Sequence, residues 1–160
     1  MSSIMAIRVE IQTVVGGFVK NGPKCYCGNR DWFIKGETVV CSYCKRTRQV
    51  KVRGIIVNGP KCYCGNRDWL IGESGARCSY CDRWREAKIR GYITEGPKCY
   101  CENRDWLIGQ SGARCSYCDR WRGAKIQGYI LNGPKCYCGN TDWFVGETGY
   151  RCSYCDRWRG

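Results

Sequence analysis

The chain has 160 residues, of which 16 are cysteine and none is histidine, and its formal charge is +13. No run of about 18 apolar residues occurs, so no membrane-spanning helix is expected, and the missing histidine removes the commonest general base. One cysteine in every ten residues points away from an ordinary single-core domain of this length and towards a disulfide scaffold or a metal protein.

Residues 1–12 form a leader, expected to be a strand. Arg8 and Glu10 interrupt its apolar stretch and no small-residue cleavage site follows, unlike a secretory signal. A reducing, cytoplasmic setting is the expectation. Beyond the leader the text repeats. The cysteines at 25, 27, 41 and 44 recur at 62, 64, 78 and 81, at 99, 101, 115 and 118, and at 136, 138, 152 and 155, each set 37 residues after the last. The units are 13–49, 50–86, 87–123 and 124–160. A fixed period of this length marks a repeat architecture.

Each unit opens its cysteine site with Gly-Pro-Lys-Cys-Tyr-Cys and continues with Asn-x-Asp-Trp, as in Asn66-Arg67-Asp68-Trp69. Trp69–Ile71 and Ala76–Cys78 flank Gly72-Glu73-Ser74-Gly75, which predicts a hairpin. Cys-Ser-Tyr-Cys closes the site. Asp-Arg-Trp-Arg follows it in three units, and Lys45-Arg46-Thr47-Arg48 in the first. The partial alternation of Arg85–Arg90 predicts a third strand, and Gly-Pro then turns the chain into the next site. No helix is predicted. The fold class is therefore small, metal-stabilised and all-β: four tandem units in a linear array. Units this short bury too little apolar surface to fold unaided, so the metal supplies stability. Because all four ligands of a site lie within 20 residues, each unit is expected to fold largely on its own ion.

The spacing C-x-C, 13 residues, C-x-x-C puts two close pairs of thiolates on two turns joined by a hairpin, which can supply four sulfurs at tetrahedral corners. The expected cofactor is zinc, four ions per chain, held by Cys25, Cys27, Cys41 and Cys44; Cys62, Cys64, Cys78 and Cys81; Cys99, Cys101, Cys115 and Cys118; and Cys136, Cys138, Cys152 and Cys155. Iron and eight disulfides are the alternatives. Each zinc site with four thiolates carries a charge of about −2, which brings the loaded chain from +13 to about +5. Four thiolates leave no position for water or substrate, so no enzyme is expected. Asp31, Asp68, Asp105 and Asp142 are expected to cap turns or pair with arginine. Gly28, Gly65 and Gly139 suit a turn with positive φ; Glu102 takes that place in the third unit, so either that turn is strained or it does not need glycine.

These motifs resemble the zinc-ribbon family over about 148 residues, with a C-x-C first pair in place of that family's usual C-x-x-C. The resemblance implies the metal and the fold and not one function. A looser likeness connects the tryptophan, asparagine and arginine around four cysteines to RNA-binding zinc fingers.

What remains for binding is basic and aromatic. Lys24, Arg30, Lys45, Arg46 and Arg48 in the first unit, Lys61, Arg67, Arg83, Trp84 and Arg85 in the second, Lys98, Arg104, Arg120, Trp121 and Arg122 in the third, and Arg157, Trp158 and Arg159 in the fourth form the candidate nucleic-acid contacts. Aromatic faces between arginines suit unpaired bases and phosphates. Trp32, Trp69, Trp106 and Trp143 read as core. The residues after the last cysteine of each unit are expected to point into solvent. Two functions follow: binding of RNA or a ribonucleoprotein such as the ribosome, or a protein-interaction adaptor in a large assembly. No small-molecule substrate and no membrane is expected.

Overall fold

A computed structural model describes residues 4–14 and 16–160. The described residues form seventeen short strands and no helix. The unit plan is a four-stranded antiparallel meander. In the first unit β2 (Phe18–Val19), β3 (Trp32–Lys35), β4 (Thr38–Cys41) and β5 (Thr47–Gln49) pair in sequence. The second unit repeats this with β6 (Gly54–Ile56), β7 (Trp69–Ile71), β8 (Gly75–Cys78) and β9 (Trp84–Glu86). β10 (Ile89–Ile93), β11 (Trp106–Gly109), β12 (Gly112–Cys115) and β13 (Trp121–Gly123) make the third. β14 (Gly128–Ile130), β15 (Trp143–Val145), β16 (Tyr150–Cys152) and β17 (Trp158–Arg159) make the fourth.

The predicted hairpin is the central pair of each sheet, with Trp69 opposite Cys78. The segment after the last cysteine divides. Trp84–Glu86 closes one sheet, and Ile89–Ile93 opens the next. A tryptophan on the last strand of a sheet packs over a glycine on the strand before it: a Cβ at Gly75, Gly112 or Gly149 would run into the ring of Trp84, Trp121 or Trp158. The first unit has Thr47 and Thr38 at the two matching positions, so the large ring and the missing side chain disappear together.

The core is not confined to units. Val19, Trp32 and Val39 of the first unit pack with Val50, Ile55 and Leu70 of the second. Ile56, Trp69 and Ala76 pack with Tyr92 and Leu107 of the third. Ile93, Trp106 and Ala113 pack with Ile126, Tyr129 and Phe144 of the fourth. Each cysteine cluster is local, but the first three cores each take residues from the unit that follows, and only the fourth, around Ile130, Trp143 and Val145, lies within its own unit; the cores are thus less separate than the ligand sets. The turns that carry the first and second cysteine pairs of a unit are its first and second knuckles; the four tryptophans beside the first knuckle are core as expected, and each indole N–H donates to a proline carbonyl at 2.7–2.8 Å.

The leader crosses three units. β1 (Gln12–Thr13) pairs antiparallel with β6, Arg8 bridges Tyr92 of the third unit, and Met5 bridges Tyr129 of the fourth. One segment therefore serves as edge partner to three successive sheets. The glycines that open those sheets allow the approach: a Cβ at Gly54, Gly91 or Gly128 would collide with the leader backbone at Gln12, Arg8 or Met5. Among the described residues, Gly17, the matching residue of the first unit, has only Ile34 O, at 4.0 Å, beside the place of a Cβ. Residues 1–3 of the leader lie outside the described residues.

Candidate metal centres and the knuckle face

Two turns build each cysteine cluster. In the second unit, Gly65 N–H bonds to Cys62 O at 2.8 Å to close the first turn, and Asp82 N–H bonds to Cys78 O at 3.0 Å to close the second. Both turns end in the left-handed region. Gly28, Gly65 and Gly139 have φ of 94°, 94° and 97°, and Glu102 is held at 81°. The turn thus does take a positive φ, and at Glu102 this costs about 1–2 kcal/mol of strain. The residue after the second pair, Lys45, Asp82, Asp119 or Asp156, sits at 70–73° without being glycine.

The β3–β4 hairpin and its counterparts bring the two turns together. Within each cluster all four Sγ atoms lie within 4.8 Å of one another. The closest approaches, Cys25 to Cys44 and Cys27 to Cys41, are both 3.6 Å, and the other three clusters repeat them at 3.6–3.7 Å. A disulfide needs about 2.05 Å, and all sixteen cysteines are free. An ion bound tetrahedrally at about 2.3 Å spaces its sulfurs about 3.8 Å apart, so the four clusters fit a metal ion.

Their protonation chemistry fits it too. In the second cluster the Cys62 thiol draws Cys78 down to about 4, and the Cys78 thiolate together with burial pushes Cys62 far up. In the third, Cys99 draws Cys115 down to about 5 and is itself pushed up in the same way. Four thiols this close ionise together only around a cation.

An outer shell not anticipated from the sequence supports the sulfurs. Asn29, Asn66, Asn103 and Asn140 each donate Nδ2–H to the first Sγ of the second pair at 3.3 Å, and to a backbone carbonyl two residues on. The clue was present in the Asn-x-Asp-Trp motif: an amide with two donors beside a thiolate cluster can serve both acceptors.

The structure sorts the candidate nucleic-acid contacts into two groups. Arg48, Arg85 and Arg122 are buried, at 5–6% exposure. Each donates Nε–H and Nη2–H to the two carbonyls of the next unit's second knuckle, for Arg48 those of Ser79 at 3.0 Å and Tyr80 at 2.9 Å. The expectation that they point into solvent is corrected. They are the central, inward residues of β5, β9 and β13, and they satisfy carbonyls that a tight turn leaves without partners. Arg30, Arg67 and Arg104 are committed as well, each pairing at 2.9 Å with the buried aspartate of the next unit: Asp68, Asp105 and Asp142. That aspartate also accepts a backbone N–H from the preceding unit, Lys24 to Asp68 at 3.0 Å, and one from its own unit, Asn58 at 2.9 Å. The aspartates thus cap and pair at once, across a seam. Trp84 and Trp121 are half-buried beneath Arg77 and Arg114, and Trp158 is more exposed beneath Arg151. Lys45 donates to Ser42 O at 3.2 Å on the surface, and Arg159 is exposed.

The second group gathers on the knuckle face. Arg46, Arg83, Arg120 and Arg157 are exposed, and each guanidinium lies 4.6–4.7 Å from the ring centroid of the tyrosine between the first two cysteines of its own unit. Those tyrosines, Tyr26, Tyr63, Tyr100 and Tyr137, are 55–82% exposed. The first three also pack, at 4.9–5.0 Å between centroids, on Tyr80, Tyr117 and Tyr154 of the next unit. Lys24, Lys61 and Lys98 lie 5.8–5.9 Å over those last three rings. Tyr63 belongs to the aromatic and basic residues that the sequence leaves for binding, but the sequence alone does not single out the tyrosines of the first pair. Their signal was their position, since a residue between two ligands on a tight turn cannot reach the core.

Comparison with protein families, with curated proteins and with solved structures finds no match to this chain. What stands on its own geometry is an all-β array of four repeats, each with a cluster of four cysteines able to hold a metal ion. No helix among the described residues is long and apolar enough to cross a membrane.

Proposed function

We propose that the chain is a zinc protein built of zinc-ribbon units, without enzymatic activity, that binds RNA or a ribonucleoprotein in a reducing, cytoplasmic setting. The observation that carries this reading is the arginine–tyrosine stack repeated once per unit on the knuckle face, at Arg46–Tyr26, Arg83–Tyr63, Arg120–Tyr100 and Arg157–Tyr137. A half-open ring backed by a guanidinium offers a stacking platform and a phosphate partner in one place. Repetition at one per unit adds avidity for an extended strand. Zinc is the ion proposed because a closed tetrahedral site of four thiolates is its usual structural site.

Elemental analysis is expected to give four zinc ions per chain; a red iron chromophore would overturn the metal assignment. The RNA reading is tested by titrating zinc-loaded protein with single-stranded RNA over a range of salt. Log affinity should fall linearly with log salt. Tyr63→Ala should weaken binding by about ten- to a hundredfold, and Arg83→Ala should lower the salt slope by about one. Arg85→Ala, two residues away, should cost stability and leave the slope alone. If nuclease-treated native chain binds no RNA at low salt, the same tyrosine–arginine face becomes an anchor for a protein subunit, for which these residue types are equally suited.

A further inference from the structure

The three seams between successive units use one set of contacts, and the outer faces of the first and fourth units carry the matching halves without a partner among the described residues. From the earlier unit of each seam come a knuckle tyrosine, the lysine before it and a buried arginine. From the later unit come a second-knuckle tyrosine, an aspartate and a large apolar residue on its second strand. The apolar residue, Leu70, Leu107 or Phe144, enters the earlier unit's core against Val39, Ala76 or Ala113.

On the first unit's outer face, Tyr43 is 80% exposed where Tyr80, Tyr117 and Tyr154 are covered by a preceding unit. Phe33, in the place of Leu70, is 42% exposed and stacks against Phe18, itself 46% exposed. Asp31 accepts one N–H, from Asn21 at 2.9 Å, where its counterpart Asp68 accepts from Lys24, Arg30 and Asn58. On the fourth unit's outer face, Tyr137 is 82% exposed, the highest of the first-pair tyrosines. Pro134 is exposed while Pro23, Pro60 and Pro97 are buried, and Arg159 is exposed while Arg48, Arg85 and Arg122 are buried. Between them lies a cleft of about 740 Å³ whose walls include Ile130, Pro134, Trp143, Tyr150 and Arg159.

We infer that these faces are two halves of one interface, so that the first unit of one copy docks on the fourth unit of another and the chain assembles head to tail. The halves match by chemistry. Tyr43 is the partner that Tyr137 lacks, with Lys135 placed as Lys98 is over Tyr154. Phe33 is the apolar insert for the cleft. Arg159 has the reach of Arg122 towards the carbonyls of a second knuckle, here those of Ser42 and Tyr43. Asp31 is the acceptor for the Lys135 N–H.

The end seam is weaker than an internal one. Thr141 stands where Arg30, Arg67 and Arg104 supply the ion pair, and Val40 stands where Arg77, Arg114 and Arg151 reach back to a carbonyl of the unit before. Tyr150 replaces the small residue facing the insert, so Phe33 must seat beside it in the cleft and not where Leu70 sits. Association is therefore reversible. Because the two faces differ, it also continues past two copies, into a ring or a filament, since a head-to-tail contact leaves one face free on each end of a dimer.

Sedimentation of zinc-loaded, nuclease-treated full chain tests this. The weight-average mass should rise with concentration and pass that of a dimer without levelling there. Phe33→Asp, which spoils one face, and Arg159→Glu, which spoils the other, should each weaken association at least tenfold. An equimolar mixture of the two should recover association but stop at a heterodimer, because one good face remains on each. Zinc content and tryptophan emission establish that both variants fold. Should Phe33→Asp lose zinc, Tyr43→Ser at the more exposed position of the same face replaces it. A chain that stays monomeric at all concentrations, a native assembly that stops at two, or a mixture no better than its components would each overturn the inference.

Discussion

The knuckles and the seams are held together by opposite means. A knuckle is local: its four sulfurs, its asparagine donor and its two turns come from one stretch of about 20 residues, and nothing outside the unit contributes a ligand. A seam's hydrogen bonds join residues 28–55 positions apart, through arginines and aspartates, beside a shared core. The four candidate metal clusters are therefore separate, while three of the four cores are shared across a seam. An array of this kind has intrinsic unit terms and nearest-neighbour terms, and here the second are substantial.

The largest effect should come from removing one site in the middle. Cys115→Ser with Cys118→Ser abolishes the third cluster, and structural zinc binding is worth about 10–16 kcal/mol in isolated fingers. Three ions should remain at saturating zinc. The damage should nevertheless spread, because Cys99, Trp106 and Cys115 share a buried cluster with Ile126, Tyr129 and Phe144 of the fourth unit. Chelator titration should strip the fourth ion at a concentration at least tenfold lower than in the native chain. If the fourth site were unaffected, the seam would be passive contact.

Next in size is a direct comparison of one residue in two settings. Asp105 is buried and accepts from Lys61 N, Glu95 N and Arg67, each at 2.9 Å. Asp105→Ala strands two backbone donors and unpairs a half-exposed guanidinium, and should cost about 2–4 kcal/mol of denaturant stability. Asp31, at the matching position on an end face, accepts one N–H, and Asp31→Ala should cost about 1 kcal/mol. Equal costs would mean that the seam adds nothing to the cap.

Much of this was legible in advance, and what was not has a physical reason. The cysteine clusters, the hairpin and the tryptophan core could be read because each depends on residues close in sequence. The seams could not, because Arg48 and Arg46 are equally basic and differ only in where the chain after the second knuckle directs them. Register decides that, and the alternation after Cys-Ser-Tyr-Cys was too short to read. Traces of the seams were nonetheless in the departures among units: Thr141 in place of arginine, Val40 in place of arginine, and Thr38 with Thr47 where the others have glycine with tryptophan. The first two replace arginines that cross a seam in the other units, and the third is a ring and a gap that come and go together. The leader was expected to be a strand, but its three partners were signalled only by Gly54, Gly91 and Gly128, whose need for open space appears once a second backbone is beside them.

The leader offers a smaller test of the same contrast, since it adds to seams and touches no ligand. Met5 and Tyr129 exchange two backbone hydrogen bonds at 2.7 and 3.0 Å, and Arg8 and Tyr92 exchange two at 2.9 and 2.7 Å. At about 1 kcal/mol each, less the ordering of an extended segment, deletion of residues 1–10 should cost about 2 kcal/mol. Zinc stoichiometry should stay at four. The amides of Tyr92 and Tyr129 should lose most of their protection from hydrogen exchange, while that of Leu70, in an internal strand, keeps its own. Equal loss throughout would show that the leader holds the whole array and not those edges.

The smallest effect tests the knuckle against its own ideal. Glu102 occupies the left-handed turn at φ 81° that glycine fills in the other three units. The strain is purely conformational, because a Cβ at Gly28, Gly65 or Gly139 would meet nothing within 4 Å. Glu102→Gly removes about 1–2 kcal/mol of left-handed cost. It gives back about 0.5–1 kcal/mol through the greater freedom of glycine in the unfolded chain. It also removes an exposed contact of Glu102 with Lys98 at 3.5 Å, worth a few tenths at most. The balance favours glycine by about 0.5 kcal/mol, and it should appear as a slightly tighter third site in zinc competition, with the other three unchanged. The reverse change, Gly65→Glu, should loosen the second site by the same amount. A loss of affinity in Glu102→Gly would mean that the pair with Lys98 holds the lysine over Tyr154, and that the third seam relies on a contact made by no other unit.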